Sequence, residues 1–560
     1  MPLINSIMIR QRVRFALLVA VVLVGAMLMA ATTGGGWAYA TAPTITGLSP
    51  SSGGVGTAVH ITGTQLTGAT VVQFSGTNAS ISSVDPGGTY INATVPSFAT
   101  SGPVTVTTPG GTAASPSSFT VTVGITVSSA SPGGTVIVTG SAFGTHELIN
   151  VSINGSPAGQ TASDGGGNWR ATLPVPATEP TGALPVIATG ASSQRSAAAT
   201  VSVTVNWAQP GFSARHRGYN PLETIINSGN VPQLDVDWQT SPVGFVYASG
   251  PPLVYGSTIV DRMSNGTVQG LSQSTGTTLW SYTPPGTVGT LGPLAVSIGV
   301  AYAGTSNGYL VAINTSNGAA YFPPVCVTTC SSPQLATSDV APAIANGLVY
   351  LLDHNNGIHT QSLSNGSSVS NNYSAASCSP PIGPPAINAL TVDTESTSTF
   401  CLAYPYGSST WFNNASGYSG GPSVDQGHSF AAAANFLGER DSFGNPGWSA
   451  APSGTPIGPP AVGDGYVIAP LGKSLLYYQQ TTGSLVRSAG LFESAVGPAV
   501  IANYVVFVPE QNNVEAFDVY GDLLWRGQAP SVTGLAIANG QLDVSTSAGI
   551  VAFDLAGATK

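Results

Sequence analysis

The feature that most constrains this chain is a repeat of about 40 residues that runs through its C-terminal part. Each copy has a Pro or Leu, two small or apolar residues, a turn, a Val/Tyr-rich strand, a polar Gly turn, a further strand and an aromatic. The copies anchor at Pro252, Leu294, Pro342, Pro385, Pro422, Pro460, Pro498 and Leu535, at spacings of 42, 48, 43, 37, 38, 38 and 37 residues. A period near 40 with about four short strands per copy predicts propeller blades, because one such unit cannot bury its apolar face alone and must stack on its neighbours.

The aromatic position tests the count. Trp280, Phe322, Trp411, Trp448 and Trp525 fall 26 to 28 residues after their own anchors, which would put the eighth aromatic near position 562, past Lys560. The last copy therefore lacks its outer strand. Upstream, Leu234-Asp235-Val236-Asp237-Trp238 has the form of that strand, and Trp238 precedes Pro252 by 14 residues, the interval from Trp280 to Leu294. An N-terminal strand that completes the eighth blade would close the ring and remove exposed sheet edges. The fold expected is all-β, with an eight-bladed β-propeller closed by an N-terminal strand.

The repeats resemble the quinoprotein (PQQ-type) propeller family. The residues that carry the likeness are Gly292-Pro293-Leu294-Ala295-Val296, the stretch from Val300 to Asn314, Ser316-Asn317-Gly318, Gly347-Leu348-Val349-Tyr350, and Val514-Glu515-Ala516-Phe517-Asp518 with Leu523-Leu524-Trp525. A leader, Trp207-Ala208-Gln209-Pro210-Gly211-Phe212 followed by Gly218-Tyr219-Asn220-Pro221, agrees. The third strands of blades four and five, near Leu402-Ala403-Tyr404 and Phe436-Leu437-Gly438, match poorly.

Two smaller units precede the repeats. From about Pro43 to Val123, alternating strands such as Ala58-Val59-His60-Ile61-Thr62 and Thr70-Val71-Val72-Gln73-Phe74 are separated by turn residues at the ~8–12-residue spacing of a β-sandwich. Ile45-Thr46-Gly47-Leu48-Ser49-Pro50-Ser51-Ser52-Gly53, Gly56, Ile61-Thr62-Gly63, Leu66, Val72-Gln73-Phe74-Ser75-Gly76 and the run Pro96 to Thr112 make this segment resemble an IPT/TIG domain, which implies an immunoglobulin-like fold. Residues 125–205 repeat the plan with less fidelity: Ser131-Pro132-Gly133-Gly134-Thr135-Val136-Ile137-Val138-Thr139-Gly140 mirrors the first start. The organisation expected is a signal peptide over 1–40, an IPT/TIG Ig-like domain over 41–123, a second Ig-like domain over 124–206 and the propeller over 207–560.

The N-terminus argues for export. Arg10, Arg12 and Arg14 precede an apolar run from Phe15 to about Ala31, then Ala38-Tyr39-Ala40 supplies a small-x-small cleavage site. An uncleaved anchor is the rival reading, the run being near the lower limit for a span of ~17–25 residues. With cleavage, no membrane span is expected. All 23 acidic residues and 10 of the 13 basic ones follow residue 40, so the mature net charge is about −13 (10 minus 23), which disfavours nucleic acid as a partner. Charged residues are only 6% of the chain against ~25% in ordinary domains, yet 42% are apolar and fall in period-two runs, as packed sheets require.

Four cysteines, Cys326, Cys330, Cys378 and Cys401, in an exported chain favour disulfides. Of the three pairings, Cys326–Cys330 with Cys378–Cys401 is preferred, since neighbours in sequence close small loops. A metal site lacks a clustered His and the C-x2-C spacing.

Members of the quinoprotein family that are PQQ dehydrogenases resemble one another in an adjacent Cys-Cys disulfide over the quinone, a Glu/Asn/Asp calcium site and an Asp base. This chain has no adjacent cysteines and near-minimal blades, and none of its eight Glu residues falls on the calcium motif. The blade tryptophans read as packing residues. Other constellations have plain readings. Asp353-His354-Asn355-Asn356-Gly357-Ile358-His359 aligns with the polar Gly turn Thr305-Ser306-Asn307-Gly308 and reads as a hairpin, a metal or catalytic cluster being the sharper alternative. Asp164-Gly165-Gly166-Gly167-Asn168-Trp169 reads as a hairpin turn, with too few oxygen ligands for calcium. Glu439-Arg440-Asp441 reads as a solvated loop, with a binding loop as alternative. No catalytic, cofactor or metal residues are assigned. The function expected is a secreted or cell-surface, monomeric, non-catalytic binding protein, its propeller face taking an extracellular glycan or envelope protein and its Ig-like domains acting as spacer or envelope contact. A divergent PQQ-dependent oxidoreductase and an envelope assembly scaffold are the alternatives.

Overall fold

The computed structural model describes residues 41–555 apart from 97–98, 177, 180, 241–249, 328–329, 331–339, 354–356, 370–382, 389–390, 396–399, 404–408 and 413–419. Residues 1–40, the expected signal peptide, and Cys378 lie outside the described residues. The described residues form strands and two short 3-10 turns, with no α-helix, as a chain poor in helix formers and rich in Val, Thr and Gly dictates. No helix among them is long and apolar enough to cross a membrane.

The first segment is one sheet of eight strands that curls until Thr44–Ser49 lies against Gly111–Val121, so that it nearly closes. Alternation decides which side chains face inward. In Ala58–Thr64, Val59 and Ile61 are buried and their neighbours are not; in Tyr90–Thr94, Ile91 and Ala93 are. Phe74 and Phe119 meet edge to face in the core, centroids 5.1 Å apart. Residues 124–203 form two further sheets. One has Trp169–Pro174, Thr135–Ser141 and Gly124–Val127; the other has Ser156–Ala162, Leu148–Ile153, Gly182–Gly190 and Ser196–Val203. They enclose a core around Val136, Val138, Ile149, Trp169, Val186 and Val201. Asp164 accepts bonds from the Gly166 and Asn168 amides at 2.7 and 2.8 Å, so 164–168 is a turn. It carries the chain from one sheet to the other and is not a hairpin, because Ser156–Ala162 and Trp169–Pro174 pair with different partners.

Eight sheets follow, and their innermost strands neighbour one another in a closed ring. Blade one is typical: Leu253–Tyr255, Thr258–Arg262, Val268–Ser272 and Thr278–Tyr282 run antiparallel from axis to rim. Blade eight supplies only three strands from its own repeat, Val532–Ala538, Gln541–Thr546 and Gly549–Leu555. Leu234–Gln239 pairs with the last of these, from Leu234 opposite Leu555 to Gln239 opposite Val551. This is the closure that the position of Trp238 predicts.

The rim tryptophans lock neighbouring blades. Trp280 Nε1 donates to the Thr315 carbonyl of blade two, and Trp448 Nε1 to the Gln480 carbonyl of blade six, both at 2.7 Å. Trp238 makes the equivalent bond to Gln273 of blade one at 2.9 Å. Each ring also covers a turn glycine of the next blade. Gly276 has φ +66°, and a Cβ there would lie 2.4 Å from the Trp238 ring. The position therefore needs glycine both for its conformation and for the space.

Candidate functional site

A ring of eight blades leaves eight inward sheet edges around an axis, and their amide and carbonyl groups need partners. The leader supplies them. The Trp207 carbonyl accepts from Val254 of blade one at 2.9 Å, and the Ala208 carbonyl from Val296 of blade two at 2.6 Å. The Gln209 side chain exchanges two bonds with the Ile344 backbone of blade three, both 2.9 Å. The carbonyls of Ala214, Arg215, Arg217 and Gly218 then take the amides of Ile387, Val424, Val462 and Ile501 in blades four to seven at 2.7 to 2.8 Å. Asn220 Nδ2 finishes the circuit on the Ile537 carbonyl of blade eight at 2.7 Å. One segment thus bonds the innermost strand of every blade in order. Positive φ at Gly211 (+66°) and Gly218 (+60°) lets it bend tightly enough. Glu223, accepting from the Ile225, Ile226 and Gly540 amides, ties its far end to blade eight.

Beside the leader lies a cavity of about 290 Å³ on the axis. Trp207, Pro210, Gly211, His216 and Gly218 of the leader line it together with the residues just before the innermost strands, among them Pro251, Pro293, Ala341, Pro384, Pro459 and Pro498. Prolines suit this position, since the chain arrives there in extended form and an amide facing the cavity would have no partner. Two lining side chains are polar and deeply buried. Trp207 is 1% exposed and His216 2%, and neither Trp207 Nε1 nor His216 Nε2 has a hydrogen-bond partner. Burial pushes the His216 pKa down to about 4 against the opposing pull of the Pro210 and Pro385 carbonyls, so the ring is neutral near pH 7.

Other buried acids are scattered over the blades. Burial raises Asp261 of blade one to about 7, Asp393 of blade four to about 7 and Glu395 of blade four to about 8. Glu510 of blade seven, crowded by burial and by Glu515, rises to about 8. Asp393 accepts from Thr391 and Ser429, Glu395 from the Gly421 amide, and Glu515 is held by Arg526. Arg217 of the leader pairs with Asp425 at 2.6 Å. Among the described residues no group of three or more His, Cys, Asp or Glu side chains is placed to hold a metal ion.

The residues singled out in the sequence fall as follows. Cys326 and Cys330 are bonded to each other; the Cys378–Cys401 pairing lies outside the described side chains. Asp353 accepts from the Gly357 amide at 2.7 Å and bonds His359 Nε2 at 2.9 Å across the turn between Leu348–Leu352 and Ile358–Ser362; His354 lies outside the described residues. Glu439-Arg440-Asp441 is not a solvated loop. It ends the strand Phe436–Asp441, where Glu439 and Arg440 are buried and Glu439 bonds His428. His216, which the sequence did not mark, is the lining histidine. The paired prolines Pro251-Pro252, Pro384-Pro385 and Pro459-Pro460 were the available signal for the cavity wall.

Comparison with known proteins agrees with this architecture. Residues 43–125 match the IPT/TIG domain. Residues 233–411 match the family described as outer membrane protein assembly factor BamB, a PQQ-type repeat, in the order the sequence implies. Among solved structures, quinohemoprotein alcohol dehydrogenase ADHIIG from Pseudomonas putida HK5 is similar at 13% identity and a TM-score of 0.50, over 64% of this chain and 81% of that one. BamB from Moraxella catarrhalis is similar at 17% identity and a TM-score of 0.45, over 58% of this chain and 99% of that one. The computationally designed Ika8 protein is similar at 13% identity and a TM-score of 0.48, over 57% and 100%. No curated protein matches the chain. At 13% identity the likeness to the dehydrogenase concerns the fold alone and says nothing of the chemistry.

The fold family implies PQQ, a polycarboxylate, on the axis. The described lining does not fit it: it offers no Lys, Arg, Asn or Gln side chain to pair with carboxylates, and a neutral imidazole in place of a cation.

Proposed function

We propose that this is an exported, non-catalytic binding protein, in which the IPT/TIG domain and a second Ig-like unit act as spacer or envelope contact and the propeller carries recognition. The observation that carries the reading is the lining of the axial cavity. Acid–base or nucleophilic chemistry draws on converging ionisable groups. Among the described lining residues, one neutral histidine and Thr533 stand with Trp207, prolines, glycines and aliphatic side chains, an environment that binds by shape and desolvation. The propeller ends are suited to a glycan or an envelope protein. Tyr504 and Tyr520, 59% and 65% exposed, sit on turns at one end of blade seven, and exposed tyrosines offer an apolar face with a polar tip for either partner.

The test is binding of envelope polysaccharide and protein fractions to immobilised protein, alongside dye reduction with added PQQ and calcium. The result expected is saturable retention that falls at least tenfold in a Tyr504→Ala/Tyr520→Ala variant, with no turnover. Quinone-dependent turnover would overturn the reading. The match to the assembly-factor family favours a second reading, an envelope assembly scaffold, which retention of a protein and not of a glycan would support.

A further inference from the structure

Almost no chain separates the unit of residues 124–203 from the propeller. We propose that this unit is a rigid strut and not a hinged tether, fixed to the end of the propeller that carries Tyr504, so that a partner approaching Tyr504 meets the strut beside it. The joint follows from the fold; only its bearing on recognition rests on the reading of the propeller as a binding module.

Three observations converge. The first is length. Ser196–Val203 is the last strand of the unit, and Val205 is already wholly buried in the propeller core. Thr204 alone lies between them, and its amide bonds the Ala130 carbonyl of the unit at 2.9 Å. A flexible tether needs a run of residues with free φ and ψ. Here the run is one residue, and Val203, Thr204 and Val205 are all β-branched, which stiffens their side chains. The second is fixation on both sides of Thr204. Towards the unit, the Ala130 amide donates to the Ser202 carbonyl at 3.1 Å. Towards the propeller, the Val205 amide donates to Asn539 Oδ1 and the Gly256 amide to Asn206 Oδ1, both at 2.7 Å. Asn539 Nδ2 donates in turn to the Gly256 carbonyl at 3.0 Å and to Gln273 Oε1 at 2.8 Å. This clamp holds the chain to blades eight and one together. The third is position. Asn539 and Gly256 lie on the turns between the first and second strands of those blades, and Tyr504 lies on the same turn of blade seven, next in the ring. Gly299, Gly347, Gly427, Gly465 and Gly540 hold the second place of that turn in blades two, three, five, six and eight, each at positive φ. Blade seven has Tyr504 there, at φ +64° and exposed. A bulky residue in the left-handed region costs stability that glycine would save. The turn does not need the tyrosine, so the demand for it comes from the surface beside the strut.

The test is double electron–electron resonance on the full chain, with nitroxides carried by an introduced keto amino acid so that the cysteines stay untouched. The labels go at exposed positions: Ile187 on the unit, Leu279 and Leu485 on the propeller rim, and Tyr520 and Phe492 at opposite ends of blade seven. The Ile187–Leu279 distance distribution is expected to be at most about one and a half times as wide as that of Leu279–Leu485, a pair within the ring. Ile187 should lie nearer to Tyr520 than to Phe492 by roughly 15 Å, the length of a blade strand. Inserting Gly-Ser-Gly-Ser after Thr204 should widen the Ile187–Leu279 distribution about threefold, and Asn539→Ala, which keeps the chain length and removes the clamp, about twofold. Circular dichroism checks that both variants fold. A wild-type distribution as wide as that of the insertion variant, no widening in either variant, or Phe492 nearer than Tyr520 would each overturn the proposal. A narrow distribution in a chain that retains no envelope fraction keeps the strut and sinks the binding-module reading instead.

Discussion

Asp393 shows how a residue's surroundings can reverse what its type suggests. Asp393 and Glu395 share one face of the strand Val392–Glu395. In the ring a second strand is covered on both faces, so Asp393 and Glu395 are wholly buried, and burial raises their pKa values to about 7 and about 8. The linkage follows from the direction. Unfolded, these carboxyls ionise near pH 4; folded, Asp393 and Asp261 hold a proton to about pH 7 and Glu395 to about pH 8. Between those limits unfolding releases protons, so the stability present below pH 4 is lost as pH rises, by roughly 1.4 kcal/mol per pH unit for each group. His216 acts the other way: its contribution is present above pH 6.5 and is lost as pH falls toward 4. The propeller's midpoint for urea unfolding should therefore decline from pH 6.5 to pH 8. Asp393→Asn, which keeps partners for Thr391 and Ser429, should flatten that decline and raise stability at pH 8. An unchanged slope would show that Asp393 is ionised in the folded protein. Burial of this kind was not legible from alternation, because a period-two pattern says which residues share a face and not what covers the face.

At the scale of elements, what was legible depended on packing rules that sequence spacing expresses. Trp238 was found because its interval to Pro252 repeats that of Trp280 to Leu294, and that interval is set by one geometry, a rim indole reaching a carbonyl and a turn glycine of the next blade. The leader was legible only as a family likeness. Its circuit of bonds uses backbone carbonyls, which any residue supplies, so nothing in its side chains announces it. The strand nature of Glu439-Arg440 was hidden for a different reason: charged residues are rarely buried unless paired, and Glu439's partner His428 comes from the adjacent strand. Trp238→Ala removes a rim anchor and the Gln273 bond together and should cost roughly 3 kcal/mol. Hydrogen exchange should then rise in Leu234–Gln239 and Gly549–Leu555 well before it rises in blade five. Uniform acceleration over all blades would mean the ring opens elsewhere first.

The apolar cores of the first two segments share little, Ala142 of the second packing into the first and Val123 touching both, and the propeller's blades hold clusters of their own. Cores that share few side chains unfold in separate steps. A fragment of residues 41–123, which loses only Ala142 from its buried core, is expected to fold alone and show a single cooperative transition, checked by calorimetry against the full chain; a fragment lacking that transition would show that its stability depends on the neighbouring segment. The first domain was legible almost throughout because its glycines and prolines fall at turns, whereas the second kept only its opening and its alternation.

The pairing of Leu234–Gln239 with Gly549–Leu555 also dictates an order of events in time. A polypeptide delivered from its N-terminus can assemble seven blades from neighbouring hairpins as they arrive, with the leader already threaded among them. The eighth waits for the final strand. Until then the molecule is a horseshoe with two bare flanks, and a nick just ahead of Gly549 would leave it so for good. The interval of greatest exposure to proteases and to misassembly thus lasts until Gly549–Leu555 has been made, and its length is set by how quickly that segment finds Leu234–Gln239.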